Sequence, residues 1–268
     1  MKQLTLDEMK AIQLEILDVV MKFCDEHEIK CWLDGGTLIG AIRHKGYIPW
    51  DDDIDLGMLR PDYEKFMKLF NEENTRYKFV CYELDKNFYI PFGKVFDTQT
   101  VLYEPDEKGN KLCVNIDIWT YDNAPNDDEI INKMFRKRDK YYLCNFARQA
   151  RIFQPPRGNI LRRLAVYAFR SVVRIFPKSY FVRKIIDNAK RYANSDTGLI
   201  GNFFSMTTSI KCDKAILTSF VDVEFEGKKY KAPVRYDEYL REMYGDYMQF
   251  PPEDKRISTH KFKAYKND

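Results

Sequence analysis

The sequence predicts an α+β fold with an inserted basic helical segment, and three observations lead there. Residues 6–26 place apolar side chains at helical spacing. Residues 31–121 contain several short runs of strand character, in which apolar positions alternate with others. From Lys133 to Tyr192 there are 17 Lys and Arg against two acids, Asp139 and Asp187, so that stretch carries +15 and the remainder −12 of a total of +3. An acidic part and a basic part in one chain imply two different partners.

The elements follow in order. Thr5-x-x-Glu8 reads as a capping box, with Met9, Ile12, Ile16, Val20 and Phe23 on one face behind it. Cys31 to Leu33 is a short strand entering a Gly35-Gly36 turn, followed by a helix from Leu38 to Arg43. Ile54 to Met58 is the next strand, and Pro61 opens a helix whose face is Tyr63, Phe66, Met67 and Phe70. Strand-like runs cover Tyr77 to Tyr82, Phe88 to Phe96, Thr100 to Tyr103 and Leu112 to Trp119.

Asn126-Asp127-Asp128 caps a helix reaching about Gln149, and Pro155-Pro156-Arg157-Gly158 is the clearest break. Two basic helices, 159–175 and 179–193, are separated by Pro177. A hairpin turns at Glu226-Gly227, and a short helix from Tyr236 to Tyr244 stops at Gly245. This divides the chain into a core at 1–125, a basic helical segment at 126–195, and a C-terminal hairpin and helix at 196–268.

With 268 residues and 44% hydrophobic content, the chain can build one large domain or a domain with a subdomain. It contains no run of 18 apolar residues, and Met1 to Asp7 lack the pattern of a secretory leader, so a cytoplasmic location is expected. The six cysteines form no Cys-x-x-Cys pair and read as reduced core residues rather than zinc ligands.

Asp51, Asp52, Asp53 and Asp55 put four acids within five positions. Acids packed so closely repel one another unless a cation neutralises them, and a hard divalent ion suits oxygen donors. On a strand, Asp53 and Asp55 point to one face while Ile54 and Leu56 enter the core. Asp117, between Ile116 and Ile118, offers a third carboxylate if its strand lies alongside.

Two other readings compete. One is a solvated turn with capping acids, which Pro49 favours. The other is an EF-hand calcium loop, against which stand Leu56 at the glycine position and Asp62 at the glutamate position. Asp51 shares the parity of Asp53 and Asp55 and is the candidate proton acceptor. Gly35-Gly36-Thr37 sits where backbone N–H groups at a helix start bind phosphate oxygens. No Gly-Lys-Ser/Thr follows, so it is not a Walker loop.

Together, the run Asp34 to Gly46, its continuation Ile48 to Asp55, the block Ile116-Asp117-Ile118, and the C-terminal blocks Tyr244 to Met248 and Pro251 to Arg256 resemble the LicD family. That family is named for bacterial phosphorylcholine transferases and is related to fukutin-type transferases. The resemblance implies a nucleotidyltransferase-like fold, a mixed β-sheet flanked by helices, with 1–125 as its catalytic core and the hairpin and helix of 196–268 completing the active site. It implies that Asp53, Asp55 and Asp117 hold magnesium, with manganese as the alternative metal.

It further implies CDP-choline as donor and, as acceptor, a hydroxyl of a cell-surface glycan or teichoic acid precursor, often lipid-linked. CMP leaves, and Asp51 takes the hydroxyl proton. Arg43, Lys94, Lys255, Arg256 and His260 are the cations available to a diphosphate, with plain surface charge as the alternative for each. Tyr47, Trp50, Trp119 and Tyr121 could face a quaternary nitrogen, with core packing as the alternative. Other outcomes are transfer of CDP-linked ribitol or glycerol phosphate, or a non-catalytic membrane adaptor with a structural cation site.

In the basic segment, Ile160, Leu164, Ala168 and Val172 stripe one helical face beside Arg162, Arg163, Arg170 and Arg174. Such a stretch, 159–193, can lie on an anionic membrane at its inner face, or pack on the core with its charges in water. No nucleic-acid-binding motif is present, and no such partner is expected.

Overall fold

A computed structural model describes residues 1–103, 112–150, 158–257 and 263–267. The N-terminal part runs β1 (Lys2–Gln3), α1 (Leu6–Glu26), β2 (Cys31–Leu33), α2 (Gly35–His44), β3 (Asp55–Leu59), α3 (Arg60–Glu73), β4 (Tyr77–Val80), β5 (Gly93–Asp97), β6 (Thr100–Tyr103) and β7 (Asn115–Asn123). Then come α4 (Asp128–Gln149), α5 (Ile160–Val173), α6 (Tyr180–Ala189), β8 (Leu199–Gly201) and β9 (Lys211–Asp213). The chain ends with β10 (Phe220–Phe225), β11 (Lys228–Pro233), α7 (Tyr236–Tyr244) and β12 (Lys263–Lys266).

This is an α+β fold built on a mixed sheet. The central strands lie in the order β2-β3-β7-β5-β4, with β8 and β9 extending from β7. β3 and β7 are parallel, whereas β2, β5 and β8 join them antiparallel. The capping box forms as expected: Thr5 Oγ1 accepts from the Glu8 amide at 3.2 Å, and Glu8 Oε2 accepts from the Thr5 amide at 2.9 Å. Met9, Ile12, Ile16, Val20 and Phe23 of α1 are all buried in the main core, with Trp32, Leu56, Phe66 and Phe79.

A second core forms where Ile131, Met134 and Phe135 of α4 meet Val182, Ile185 and Ile186 of α6 and the pair Phe203 and Phe204. The two cores are joined at β7, whose Asp122 carboxylate takes two 2.8 Å bonds from the Arg60 guanidinium. Both members of that ion pair are buried. All six cysteines are unpaired, and five are buried. Among the described residues no helix is long and apolar enough to cross a membrane.

Several element boundaries differ from expectation. The helix expected from Leu38 begins at Gly35, because the Asp34 side chain accepts from the Gly35 amide at 2.8 Å and caps it there. The glycine pair therefore forms the first turn of α2 rather than a turn before it. The strand expected from Ile54 begins at Asp55, so Asp53 stands just ahead of it. The run from Phe88 is extended only from Gly93, since the Phe88 amide closes a turn onto the Asp85 carbonyl at 2.9 Å. Leu112 to Val114 lie outside β7, because the Val114 amide is taken by Thr100 Oγ1 at 2.9 Å. The Pro155-Pro156-Arg157 break lies outside the described residues, as does His260.

The hairpin turns at Glu226-Gly227 as expected, with both turn residues at positive φ, 48° and 74°. It braces the acidic loop: the Glu226 amide donates to the Lys45 carbonyl at 2.9 Å, and its carboxylate accepts from the Tyr47 amide at 3.0 Å.

Candidate active site

Strand pairing brings the acids together. Asp55 on β3 lies opposite Asp117 on β7, and Asp117 lies opposite Lys94 on β5. Because successive residues of a strand alternate between faces, one face carries a row running from Asp55 through Asp117 to Lys94. The burial pattern agrees: Asp51, Asp53 and Asp55 are half-buried, while Asp52, Ile54 and Leu56 between them are buried. Asn115, Asp117 and Trp119 are likewise half-buried between buried Ile116 and Ile118. The parity inferred for Asp51, Asp53 and Asp55 therefore persists even though two of the three precede the strand.

Each member is held. The Trp119 indole N–H donates to Asp55 Oδ1 at 2.8 Å, and its ring stacks on Phe92 at 4.1 Å. The Asp55 amide donates to Thr37 Oγ1 at 2.9 Å, so the Thr37 hydroxyl anchors the start of β3 to α2. The Lys94 ammonium binds the Asp117 carboxylate and also Asn115 Oδ1 at 3.1 Å. Gln13, a polar residue on the apolar face of α1, donates to the Asp52 and Asn115 carbonyls at 3.0 and 3.3 Å. It thereby ties the acidic loop to the start of β7.

Asp51, Asp52 and Asp53 each bring a carboxylate oxygen within 4.8 Å of the others, the one such grouping among the described residues. Asp55 and Asp117 form a neighbouring pair on the same face. Burial first, and then the charges of Asp53 and Asp117, push the Asp55 carboxyl well above the usual carboxylate range. Packing like charges this way is costly unless something positive joins them. The donors are all carboxylate oxygens, the kind that hard divalent cations prefer, so the residues present fit such an ion.

The start of α2 lies against these acids. A Cβ on Gly35 would stand 2.9 Å from Asp55 Oδ2, and one on Gly36 would stand 2.8 Å from Asp51 Oδ2. Gly35 also has φ +52°. Only glycine allows this approach, which sets the positive end of the helix beside the carboxylates.

Beneath it, Asp34 is buried and accepts from the Tyr121 hydroxyl at 2.8 Å and the Tyr239 hydroxyl at 2.5 Å. A cleft opens above, lined by Asp34, Gly35, Asp55, Trp119 and Tyr121 from the first half of the chain. Asn202, Ser205, Thr207, Thr208, Met243 and Tyr244 close its other side. Burial, and then the charges of Asp55 and Asp34, push the Tyr244 hydroxyl upward.

The cations fall in two places. Lys94 belongs to the acidic row. Arg43 lies at the far end of α2, where it donates to the Tyr247 carbonyl at 2.6 Å and covers the Phe250 ring at 4.6 Å. Arg256 covers the same ring at 5.3 Å and Trp50 at 5.7 Å. Burial and then the charge of Arg256 lower the Arg43 pKa. Lys255 sits in an exposed 3₁₀ turn, Glu253–Lys255.

Of the four aromatic residues considered, Trp119 and Tyr121 line the cleft. Tyr47 hydrogen-bonds Gln13, and Trp50 packs near Phe250. Sequence reasoning missed Asp34, Gln13, the 202–208 loop and Tyr244. Asp34 carried a usable signal, an acid directly ahead of a glycine pair at a helix start.

Residues 28–151 match the family described as LicD/FKTN/FKRP, nucleotidyltransferase domain. The chain is 32% identical over 274 aligned residues to a protein of Haemophilus influenzae named lipopolysaccharide cholinephosphotransferase LicD, covering 99% of each. It is 53% identical over 34 residues to the human ribitol 5-phosphate transferase FKRP, covering 13% of this chain and 7% of that one. A Rickettsia typhi protein without a described role is 28% identical over 166 residues, covering 60% of this chain and 48% of its own. Glycine pair, acid-apolar-acid loop and third acid on the adjacent strand all lie in the matched region, and the likeness to the Haemophilus protein runs from end to end: this chain belongs to the LicD family.

Proposed function

We propose that this protein is a phosphotransferase that moves phosphocholine from CDP-choline to a hydroxyl of a cell-surface glycan, with magnesium as its ion. The observation that carries this reading is the face formed by Asp51, Asp53, Asp55 and Asp117 beside the amide-rich start of α2, in a chain alike over its whole length to a cholinephosphotransferase. Asp53, Asp55 and Asp117 would hold magnesium, Asp53 from its grouping with Asp51 and Asp52 and the other two as a pair facing across β3 and β7. When bound, magnesium supplies positive charge to the diphosphate and to the phosphoryl oxygens of the transition state.

The protein's own groups do the rest. The acceptor oxygen bonds to the phosphorus that bears choline, the P–O bond to CMP breaks, and the hydroxyl proton passes to a carboxylate, for which Asp51, set against Gly36, is the candidate. The Gly35 N–H is taken by Asp34, so the N–H groups of Gly36 and Thr37 at the start of α2 are the ones that favour phosphate oxygens. Lys94 exchanges between Asp117 and the diphosphate. Trp119, stacked on Phe92, and Tyr244 offer aromatic faces to a quaternary ammonium.

A second reading, transfer of ribitol phosphate, draws on the short likeness to FKRP. A panel of CDP-linked donors incubated with magnesium and assayed for CMP separates the two. Choline turnover that is lost in Asp55→Ala supports the first reading. Turnover with CDP-ribitol alone supports the second, and no CMP from any donor overturns both.

A further inference from the structure

α5 carries two apolar faces. Its inner face is small: Val173 is buried with Cys144 of α4 and Phe181 of α6, and Phe169 packs beside them. At about 100° per residue, Ile160, Leu161, Leu164, Ala168 and Val172 gather on the side turned away from that contact. These side chains stand in solvent, with Leu161 74% and Leu164 60% exposed, and Ile175 just past the helix end is 81% exposed. The same rotation puts Arg163, Arg170 and Arg174 along one edge of the stripe. The helix is thus partnered on its narrow side and open on its broad apolar side.

We propose that this stripe docks the protein onto an anionic phospholipid surface, with α5 lying in the interface and its arginines among headgroup phosphates. The charge selects the occupant. Residues 133–192 carry +15, so a second copy seated face to face would set that charge against itself. A surface of negative headgroups answers both the aliphatic stripe and the arginine edge. At 14 residues α5 is too short to cross a bilayer, and it need only lie on one. The inference is independent of the donor chemistry, since α5 contributes nothing to the acidic cleft.

The test is flotation of the full chain with vesicles of phosphatidylcholine alone, or with about 30% phosphatidylglycerol, at about 0.1 M and about 1 M salt. Binding to the anionic vesicles is expected to exceed binding to neutral ones by roughly ten-fold and to fall at high salt. Leu161→Ser with Leu164→Ser is expected to cut it by roughly ten-fold while leaving helix content and CMP release with a soluble acceptor unchanged. Arg163→Gln with Arg170→Gln is expected to erase the preference for anionic vesicles. Equal binding to both vesicle types, no flotation, or a stripe variant that binds like the wild type would overturn the proposal. So would a wild-type dimer in solution that the stripe variant dissolves.

Discussion

Asp55 and Asp117 face each other in register across β3 and β7, the only parallel pair among the described strands. Adjacent strands lie about 4.8 Å apart, so the two carboxylates occupy one small region of one face. Both changes, Asp55→Asn and Asp117→Asn, are expected to lower kcat/KM by about 10³ or more in the CMP-release assay. Their stabilities should diverge. In chelator, Asp55→Asn relieves repulsion and raises Tm by about 2 °C. Asp117→Asn removes the partner of Lys94 and gives no such rise. Calorimetry of both variants checks this.

Magnesium should act on stability as well as turnover. A ligand held only by the folded state at 100 times its Kd adds about 2.7 kcal/mol. Wild type is expected to melt higher in magnesium than in chelator, whereas Asp53→Asn with Asp55→Asn melts at one temperature in both. Thermal melts alone decide it, and equal shifts in both proteins would remove the proposed ligands.

The two glycines should not be equivalent. Gly36→Ala pushes its methyl toward Asp51 Oδ2, a side-chain atom that can move, so turnover falls while the fold survives. Gly35→Ala meets Asp55 and must also hold an L-residue at φ +52°, which costs about 1 kcal/mol more. Urea titration of the two variants should rank Gly35→Ala as the less stable.

The Arg60–Asp122 pair is a structural device. Asp122 is wholly buried, and Arg60 nearly so, at the junction of the two cores. Asp122→Ala strands a guanidinium and is expected to cost about 3–5 kcal/mol in equilibrium unfolding. Donor affinity in the residual folded protein should change little.

Asp34 predicts a pH dependence. Burial raises its carboxyl above the ordinary value, and its hydrogen bonds with Tyr239, Tyr121 and the Gly35 amide oppose that only in part. The unfolded chain therefore loses this proton first. Between the unfolded and folded pKa values the native state binds more protons, so this group's contribution declines as pH rises through that interval. Asp34→Asn keeps an acceptor and should remove that part of the slope. Asp34→Ala removes the acceptor that both buried tyrosine hydroxyls share, leaving them each other, and should cost about 1–3 kcal/mol. Denaturation curves from acid to neutral pH compare all three proteins.

What the sequence disclosed was what local chemistry writes. The capping box and apolar period located α1, and the Glu226-Gly227 turn located the hairpin. Alternation around Asp53, Asp55 and Asp117 gave the correct face before any strand order was known. The start of α2 was placed three residues late because glycine is a poor helix former, and the Asp34 cap outweighs that preference. The wall made by Asn202, Ser205, Thr207 and Thr208 was invisible for another reason. Nothing in a polar loop declares that topology will carry it across the molecule to Asp55. The positions of Arg43 and Arg256 were hidden likewise, since their meeting depends on where the C-terminal segment returns.

The bond from the Tyr239 hydroxyl to Asp34 spans 205 residues. During synthesis the acidic strands are finished long before α7 is produced, so until then the Asp34 carboxylate lacks one of its two hydroxyl donors. A chain stopped between Asp117 and Tyr239 has Asp51, Asp53, Asp55 and Asp117 but lacks the second hydroxyl donor to Asp34 and the Tyr244 wall of the cleft. Completion of the cleft thus waits for α7, and its closure is a long-range event that follows synthesis of the acidic strands.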